Sequence, residues 1–116
     1  MTLSLDRAIY ASADAPTLTA RLTIRNAASS PVSLTFLSGQ IYDLEIRNDK
    51  GDVVYRWSAG KVFPQIVFED VVDDEKDYWI AAPLAGLPVG NYLARAWLAV
   101  DGPLEPYSAS ASFRIA

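Results

Sequence analysis

The chain of 116 residues contains no cysteine and no histidine, and these absences remove most of the catalytic arrangements that proteins use. Ser–His pairs, Cys–His pairs and histidine-ligated metal sites are all excluded. A Ser–Lys dyad would need a buried lysine, but Lys50, Lys61 and Lys76 all stand in polar, turn-like stretches. We therefore expect that the protein is not an enzyme and uses no cofactor.

The sequence also lacks long apolar runs and an excess of positive charge. No stretch approaches the ~20 apolar residues of a membrane span, and residues 1–7 do not form a secretory signal. The formal net charge is −4, which argues against a nucleic acid or an anionic membrane surface as the partner. Without cysteine the fold does not depend on an oxidising compartment, and we expect a cytoplasmic protein.

Alternation of apolar and polar residues is the dominant pattern. In residues 17–25 the apolar side chains stand at 18, 20, 22 and 24, with polar residues between them. Residues 32–36, 42–47, 92–100 and 109–115 repeat this period of two, which is typical of strands with one face on a core. No convincing helix is present. The pattern predicts an all-β fold, an immunoglobulin-like antiparallel β-sandwich of seven to eight strands that forms a single domain over residues 1–116.

Turn-forming residues separate these strands. The clearest hairpin turn lies at residues 48–52, where Asn, Asp and Gly tolerate positive φ, and Asp101, Gly102 and Pro103 predict another. Residues 62–82 are less regular and predict one or two strands around an acidic turn. Tyr92, which opens a late strand, suits a tyrosine corner, in which the hydroxyl bonds to upstream backbone.

The densest acidic run lies within this less regular region. Its carboxylates are Glu69, Asp70, Asp73, Asp74, Glu75 and Asp77. One interpretation is a calcium site, because calcium binds six to eight oxygen ligands. The spacing does not match an EF-hand loop, and a solvated acidic turn between strands is the favoured interpretation.

The most specific pattern of the chain runs from residue 38 to residue 65. Its parts, in order, are Ser38, Gly39, Gln40, Tyr42, Asp43, a Gly-containing turn, Arg56, Trp57, Ser58, Phe63 and Gln65. This order closely resembles the intracellular proteinase inhibitor family, also called BsuPI domains. Further matching positions, from Asn26 to Tyr92, extend the resemblance over approximately residues 18–100. The chain departs from the family pattern in the turn at 72–76 and in the position of Trp79.

The resemblance implies an inhibitor of serine proteases of the subtilisin class, and hence a protein partner. A rigid, extended loop loses little entropy on binding and can pair with a substrate cleft by strand addition. Pro64 would restrict such a loop, and Gln65 would brace it from within. The candidate partner-binding residues are Trp57, Ser58, Ala59, Gly60, Lys61, Val62, Phe63, Pro64 and Gln65. The residues expected to be mainly structural are Ser38, Gly39, Gln40, Tyr42, Asp43, Arg56, Trp57 and Tyr92.

Trp97 is a separate candidate for partner binding. The alternation places it on the outer face of its strand, beside Leu93 and Arg95, and Trp and Arg are favoured anchors of protein interfaces. A weak homodimer through this face is one interpretation, and a neighbouring loop that covers Trp97 is another. The alternative function is a non-inhibitory immunoglobulin-like interaction or accessory module, because β-sandwiches carry many functions.

Overall fold

The computed structural model describes residues 1–102 and 107–116, and this part of the chain is built almost entirely of strands. The strands are β1 (Thr2–Leu5), β2 (Ile9–Tyr10), β3 (Thr17–Arg25), β4 (Val32–Phe36), β5 (Tyr42–Asn48), β6 (Val53–Arg56), β7 (Phe68–Val72), β8 (Glu75–Pro83), β9 (Gly90–Leu98) and β10 (Ser108–Ile115). A 3-10 turn at Ser12–Asp14 is the one helical element within these ranges. None of the described segments forms a helix long and apolar enough to cross a membrane. The predicted all-β class is confirmed.

The strands form two main sheets and one separate pair. The first sheet has the order β1-β3-β8, and the second has the order β2-β10-β9-β5-β6. Strands β4 and β7 pair with each other, and a bridge between Phe36 and Val100 joins this pair to the chain just beyond β9. The pairings are antiparallel except for the short parallel contact of β2 with β10.

The alternation seen in the sequence produces a single hydrophobic core. On β3 the side chains at 18, 20, 22 and 24 are buried, while the residues between them face away from the core. They belong to one buried cluster with apolar residues of the second sheet, such as Leu44, Ile46 and Leu98. Each fully buried Leu or Ile contributes about 1.5–3 kcal/mol through removal from water. The two sheets therefore pack face to face as a β-sandwich.

Within the described residues the strand count is higher than predicted, ten rather than seven or eight. Strand β2 has only two residues, too few to show alternation, and it was missed. The irregular region of residues 62–82 contains β7 and β8, which pair with different partners. The purely antiparallel expectation is also corrected by the β2–β10 contact.

Two predicted local features are present as expected. In the 48–52 turn Gly51 has a φ of +83°, and the Asn48 side-chain oxygen accepts hydrogen bonds from the backbone N–H groups of Lys50 and Asp52. The Tyr92 hydroxyl donates to the carbonyl of Pro88 over 2.5 Å, which is the geometry of a tyrosine corner. Of the turn predicted at 101–103, Pro103 lies outside the described residues.

Candidate functional site

The site begins on β5, which is buried on both of its faces. Leu44 and Ile46 point into the core, as predicted, but Asp43 and Glu45 on the opposite face are buried as well. In register, Asp43 lies opposite Trp97 of β9, and Glu45 lies between Arg95 of β9 and Arg56 of β6. Opposite charges on facing strands stabilise a sheet. The outer face of β5 is therefore a covered polar layer, which the alternation alone did not reveal.

Asp43 connects this layer to the chain that follows β6. Its carboxylate is 1% exposed and accepts a hydrogen bond from Arg56 Nε at 3.1 Å. The backbone N–H of Ser58 donates to Oδ1 at 3.1 Å, and the Ser58 hydroxyl donates to Oδ2 at 2.6 Å. Burial raises the pKa of the nearby Tyr55 hydroxyl, and the negative charge of Asp43 raises it further. A single buried carboxylate thus holds the first part of the segment predicted to bind a partner.

Trp97 is covered rather than exposed, which corrects the prediction of an open outer face. The residue is only 7% exposed. The Arg56 and Arg95 guanidinium carbons lie 5.3 Å and 5.7 Å from the centre of its ring. Cation–π contacts of this kind are favourable and hold the ring under the two side chains. The covering side chains belong to strands β6 and β9 and not to a neighbouring loop, and a homodimer through this face stays a prediction.

On the core side of the sheet, Trp57 is the second anchor of the same segment. Its backbone N–H donates to Leu44 O at 2.8 Å and so extends the β5–β6 ladder by one residue. Its ring packs at 4.9 Å from Tyr42 and at 5.9 Å from Phe63, measured between ring centres. The Lys61 ammonium lies 4.3 Å from the centre of the Trp57 ring. Trp57 and Ser58 therefore attach the segment to opposite faces of one sheet.

The far end of the segment is held by the chain that precedes β5. The Gly39 N–H donates to Pro64 O at 2.8 Å. The Gln40 side chain donates to Tyr42 O at 3.1 Å, which fits its predicted structural role. Gln65 is exposed, which corrects the prediction that it braces the loop from within. That bracing is done by Gly39, which approaches the Pro64 backbone because it has no side chain.

Between these anchors the chain turns tightly and exposes its tip. Ala59 N donates to Arg56 O at 3.2 Å, and Lys61 N donates to Ser58 O at 3.1 Å. Gly60 has a φ of +77°, a conformation that favours glycine. Val62, the next residue but one, is 95% exposed. We call residues 57–65 the anchored loop, and it contains the whole segment predicted from the sequence.

The structure brings most of the predicted residues together and leaves one apart. The members of the 38–65 pattern meet at one end of β5, at Tyr42 and Asp43. Tyr92 instead lies opposite Asn48, at the other end of β5. Its corner therefore stabilises the sandwich away from the anchored loop. Glu45 was not selected from the sequence, and Arg95 was noted only as a neighbour of Trp97, because only the strand register shows that both share a layer with Asp43.

Gly39 gives a direct test of how the loop is held. A Cβ atom at this position would lie 2.5 Å from Cγ and Cδ of Pro64, closer than such contacts occur. Because a proline ring cannot rotate away, we expect Gly39→Ala to displace Pro64 and lower the free energy of unfolding by about 1–3 kcal/mol. The measurement is urea denaturation of the single variants and of the double variant with Pro64→Ala. Removing the Pro64 ring should recover part of the stability that Gly39→Ala loses. If the losses of the two single variants simply add in the double variant, the contact between Gly39 and Pro64 is contradicted.

Three carboxylates of the acidic run on β7 and β8 bond to other side chains of the protein. Asp70 contacts the Lys76 ammonium and accepts from the Tyr78 hydroxyl at 3.0 Å. Glu75 pairs with Arg25 at 3.0 Å, and Asp77 accepts from Thr23 Oγ1 at 2.6 Å. Within residues 1–102 and 107–116, no three Asp or Glu side chains are placed to hold a metal ion. Between β7 and β8, Asp73 and Asp74 are exposed, as expected of an acidic turn between strands.

Asp70 should make the stability of the fold depend on pH. The hydrogen bond from the Lys76 ammonium holds the pKa of its carboxyl below the ordinary value of 3.8. A carboxyl group whose pKa is lower in the folded than in the unfolded state stabilises the fold at pH values above its unfolded-state pKa. This contribution is lost as pH falls through the folded-state pKa. We expect Asp70→Asn to be destabilised at about pH 7 and the difference from the parent protein to shrink as pH falls below the ordinary pKa of 3.8. Urea denaturation across this range tests it, and Lys76→Met should behave in the same way. A difference that stays constant with pH would contradict the assignment.

The fold and the site define an immunoglobulin-like β-sandwich with one surface loop anchored to both faces of a sheet. A family model described as BsuPI, intracellular proteinase inhibitor, matches residues 3–102. The chain therefore belongs to the intracellular proteinase inhibitor family, as the sequence pattern implied. Membership supports the general role of a non-catalytic proteinase inhibitor and a proteinase as the general kind of partner. A search of curated proteins finds no match.

Several solved structures share the fold at low sequence identity. The CARDB domain of a Pyrococcus furiosus protein in complex with di-metal ions has a TM-score of 0.53 and 10% identity, over 99% of this chain and 84% of that one. A Paenibacillus sp. cycloisomaltooligosaccharide glucanotransferase complexed with cycloisomaltoheptaose has a TM-score of 0.54 and 16% identity, over 97% of this chain. An Erythrobacter marinus β-glucosidase has a TM-score of 0.57 and 10% identity over the whole chain. The match spans only 13% of the glucanotransferase and 15% of the β-glucosidase. These similarities establish the β-sandwich fold alone.

Proposed function

We propose that the protein inhibits a serine protease of the subtilisin class by inserting the anchored loop into the substrate cleft. The observation that carries this proposal is the attachment of the loop on both sides of its exposed tip. Ser58 is bound to the buried carboxylate of Asp43 on one side. Phe63 and Pro64 are held by Trp57 and Gly39 on the other.

The first supporting argument concerns the entropy of binding. A flexible segment that enters a cleft loses backbone and side-chain freedom, and this loss weakens the complex. Here the turns at 56–59 and 58–61 are each already closed by one backbone hydrogen bond, at 3.2 Å and 3.1 Å respectively. The Lys61 side chain is already placed over Trp57. Most of the anchored loop is therefore already ordered before the protein binds a protease.

The second argument concerns resistance to cleavage. If the protease cut the backbone near the tip, the new ends would stay attached to the sandwich through Ser58 and Pro64. The two ends would remain close together, so that the cleaved loop would not leave the cleft as a normal product does. Prolonged occupation of the cleft is what an inhibitor needs.

The third argument concerns the surface beside the loop. Ile66 and Val67, which follow it, are exposed, and so is Leu37, which follows the end of β4. Because Phe36 and Phe68 are paired in register, Leu37 and Val67 lie at the same end of the β4–β7 pair. Exposed apolar side chains next to a protruding loop add area to a protein interface.

We also propose the cytoplasm as the compartment in which the protein acts. The family description names an intracellular inhibitor, and the chain contains no cysteine. Its fold therefore does not need the oxidising conditions under which disulfides form.

The test is a titration of residual protease activity. A subtilisin-type enzyme of known active concentration is mixed with increasing amounts of the protein, and a papain-type cysteine protease is the control. We expect stoichiometric loss of subtilisin activity, with no effect on the cysteine protease. Mass spectrometry of the mixture should show the protein intact, or cut once within residues 57–65 with the addition of one water.

Full subtilisin activity at a large molar excess would overturn inhibition of this enzyme class. The apolar surface at Leu37, Ile66 and Val67 would then favour a non-inhibitory interaction module. Rapid cleavage at several positions would show that the loop is a substrate and not an inhibitor.

A further inference from the structure

Val62 differs from its neighbours in the anchored loop because nothing in the described part of the chain covers it. At 95% exposure it is the most exposed large apolar side chain of residues 1–102 and 107–116. Leaving a valine in water gains nothing for the fold, since the hydrophobic effect favours burial. Single exposed apolar residues are common on protein surfaces, so the position of Val62 between anchored residues is what calls for an explanation.

The residues on either side of Val62 are both held by Trp57. The ammonium of Lys61 lies 4.3 Å from the centre of the Trp57 ring, and the ring of Phe63 lies 5.9 Å from it. Lys61 is also fixed through its backbone N–H, which donates to Ser58 O at 3.1 Å. The chain therefore presents one free side chain between two restrained ones.

We propose that Val62 is the side chain that enters the primary specificity pocket of the target protease. This inference rests on the inhibitory function proposed above and extends it to the specificity of the target. A valine is small, branched and uncharged, so the matching pocket must be apolar and of moderate size. The target is then a protease that cleaves after aliphatic residues.

The same geometry argues against two other protease specificities. A trypsin-type pocket requires an extended basic side chain, but Lys61 is bound to the face of Trp57, and its release would lose a cation–π contact. A pocket selective for aromatic residues would need Phe63, whose ring is packed against Trp57. Both neighbours belong to the residue types that such enzymes prefer, but each would first have to give up its contact with Trp57.

The experiment compares inhibition constants of the parent protein with those of Val62→Ala, Val62→Asp and Val62→Lys. The enzymes are a subtilisin-type protease, an elastase-type protease with a small aliphatic pocket, and trypsin. Val89→Asp is the matched control, because Val89 is also an exposed valine in a loop. It borders a groove with Asn48, at the end of β5 away from Tyr42 and the anchored loop.

For the protease that the parent protein inhibits, we expect Val62→Asp to weaken inhibition by roughly 100-fold, because a carboxylate would enter an apolar pocket. Val62→Ala should weaken it by about 10-fold, and Val89→Asp by less than about 2-fold. Val62→Lys should create inhibition of trypsin that the parent protein lacks. Because Val62 is exposed, all variants should unfold at the urea concentration of the parent protein.

Two outcomes would overturn the inference, and they are distinguishable. In the first outcome, the parent protein inhibits a protease of the panel, and Val62→Asp inhibits it as strongly as Val89→Asp does. Another residue then occupies the pocket, and the proposed function stands. If the parent protein inhibits none of the three enzymes, the proposed function fails, and this inference fails with it.

Discussion

Replacing Asp43 with alanine is expected to release the anchored loop and to lower the free energy of unfolding by about 3 kcal/mol. The carboxylate is buried and accepts from Arg56 Nε and from both the backbone N–H and the hydroxyl of Ser58. Hydrogen bonds to a charged group contribute about 1.5–3 kcal/mol each in mutational series, and removing one partner of a buried pair leaves the other unsatisfied. Urea denaturation gives the loss of stability, and the protease titration gives the loss of inhibition.

Two further variants separate the parts of this effect. Arg56→Ala should cost about 1 kcal/mol at most, because the side chain of Arg56 is half exposed and its ion pair is screened by water. Asp49→Ala, in the exposed 48–52 turn, should change neither stability nor inhibition appreciably. If Asp43→Ala unfolds at the same urea concentration as the Asp49 variant, the buried carboxylate does not anchor the loop.

Replacing Phe36 with alanine is expected to lower the free energy of unfolding by about 4 kcal/mol, the largest effect that we predict. Phe36 is fully buried, and its ring stacks on Phe68 with centres 5.0 Å apart and an angle of 15° between the planes. Deleting a buried aromatic ring removes its transfer free energy and leaves a cavity, at a combined cost of about 3–5 kcal/mol. The shift of the urea midpoint, at unchanged slope, measures the loss.

Leu37→Ala is the matched control for Phe36→Ala. The two residues are adjacent, but Leu37 is exposed, so its truncation should change stability by no more than about 0.5 kcal/mol. Leu37→Ala should instead weaken protease binding slightly if the apolar surface beside the loop belongs to the interface. Equal stability losses in the two variants would mean that the β4–β7 pair is not packed as described.

Strands β3 and β5 show where sequence alternation predicts the fold and where it does not. On β3 the side chains at 18, 20, 22 and 24 are buried as predicted, because the other face carries Thr and Arg residues that remain partly or fully exposed. On β5 the alternation assigns Asp43 and Glu45 to the polar face of the strand, but both are buried. Alternation reports which face is apolar, whereas a polar face can also be covered when a neighbouring segment supplies cations and hydrogen-bond donors.

The candidate site was predicted in its parts but not in its geometry. The 38–65 pattern identified the family and contained the anchored loop, because its rare residues occur in a recognisable order. The prediction that Trp97 lies on an open face is wrong, since Arg56, which covers its ring together with Arg95, comes from a different strand. The bracing role expected of Gln65 belongs to Gly39, which lies far from Pro64 in sequence.

The all-β class, the turn at 48–52, the Tyr92 corner and the family of the protein follow from the order of the amino acids alone. These features depend on near neighbours, through the period of two and the conformational preferences of turn residues. Three other features follow only from the packing of distant segments: Ser58 is held by a carboxylate 15 residues away, Lys61 lies on Trp57, and Val62 is left uncovered. Exposure and anchoring depend on which distant segments pack against a residue, and the local alternation of apolar and polar residues does not show those contacts.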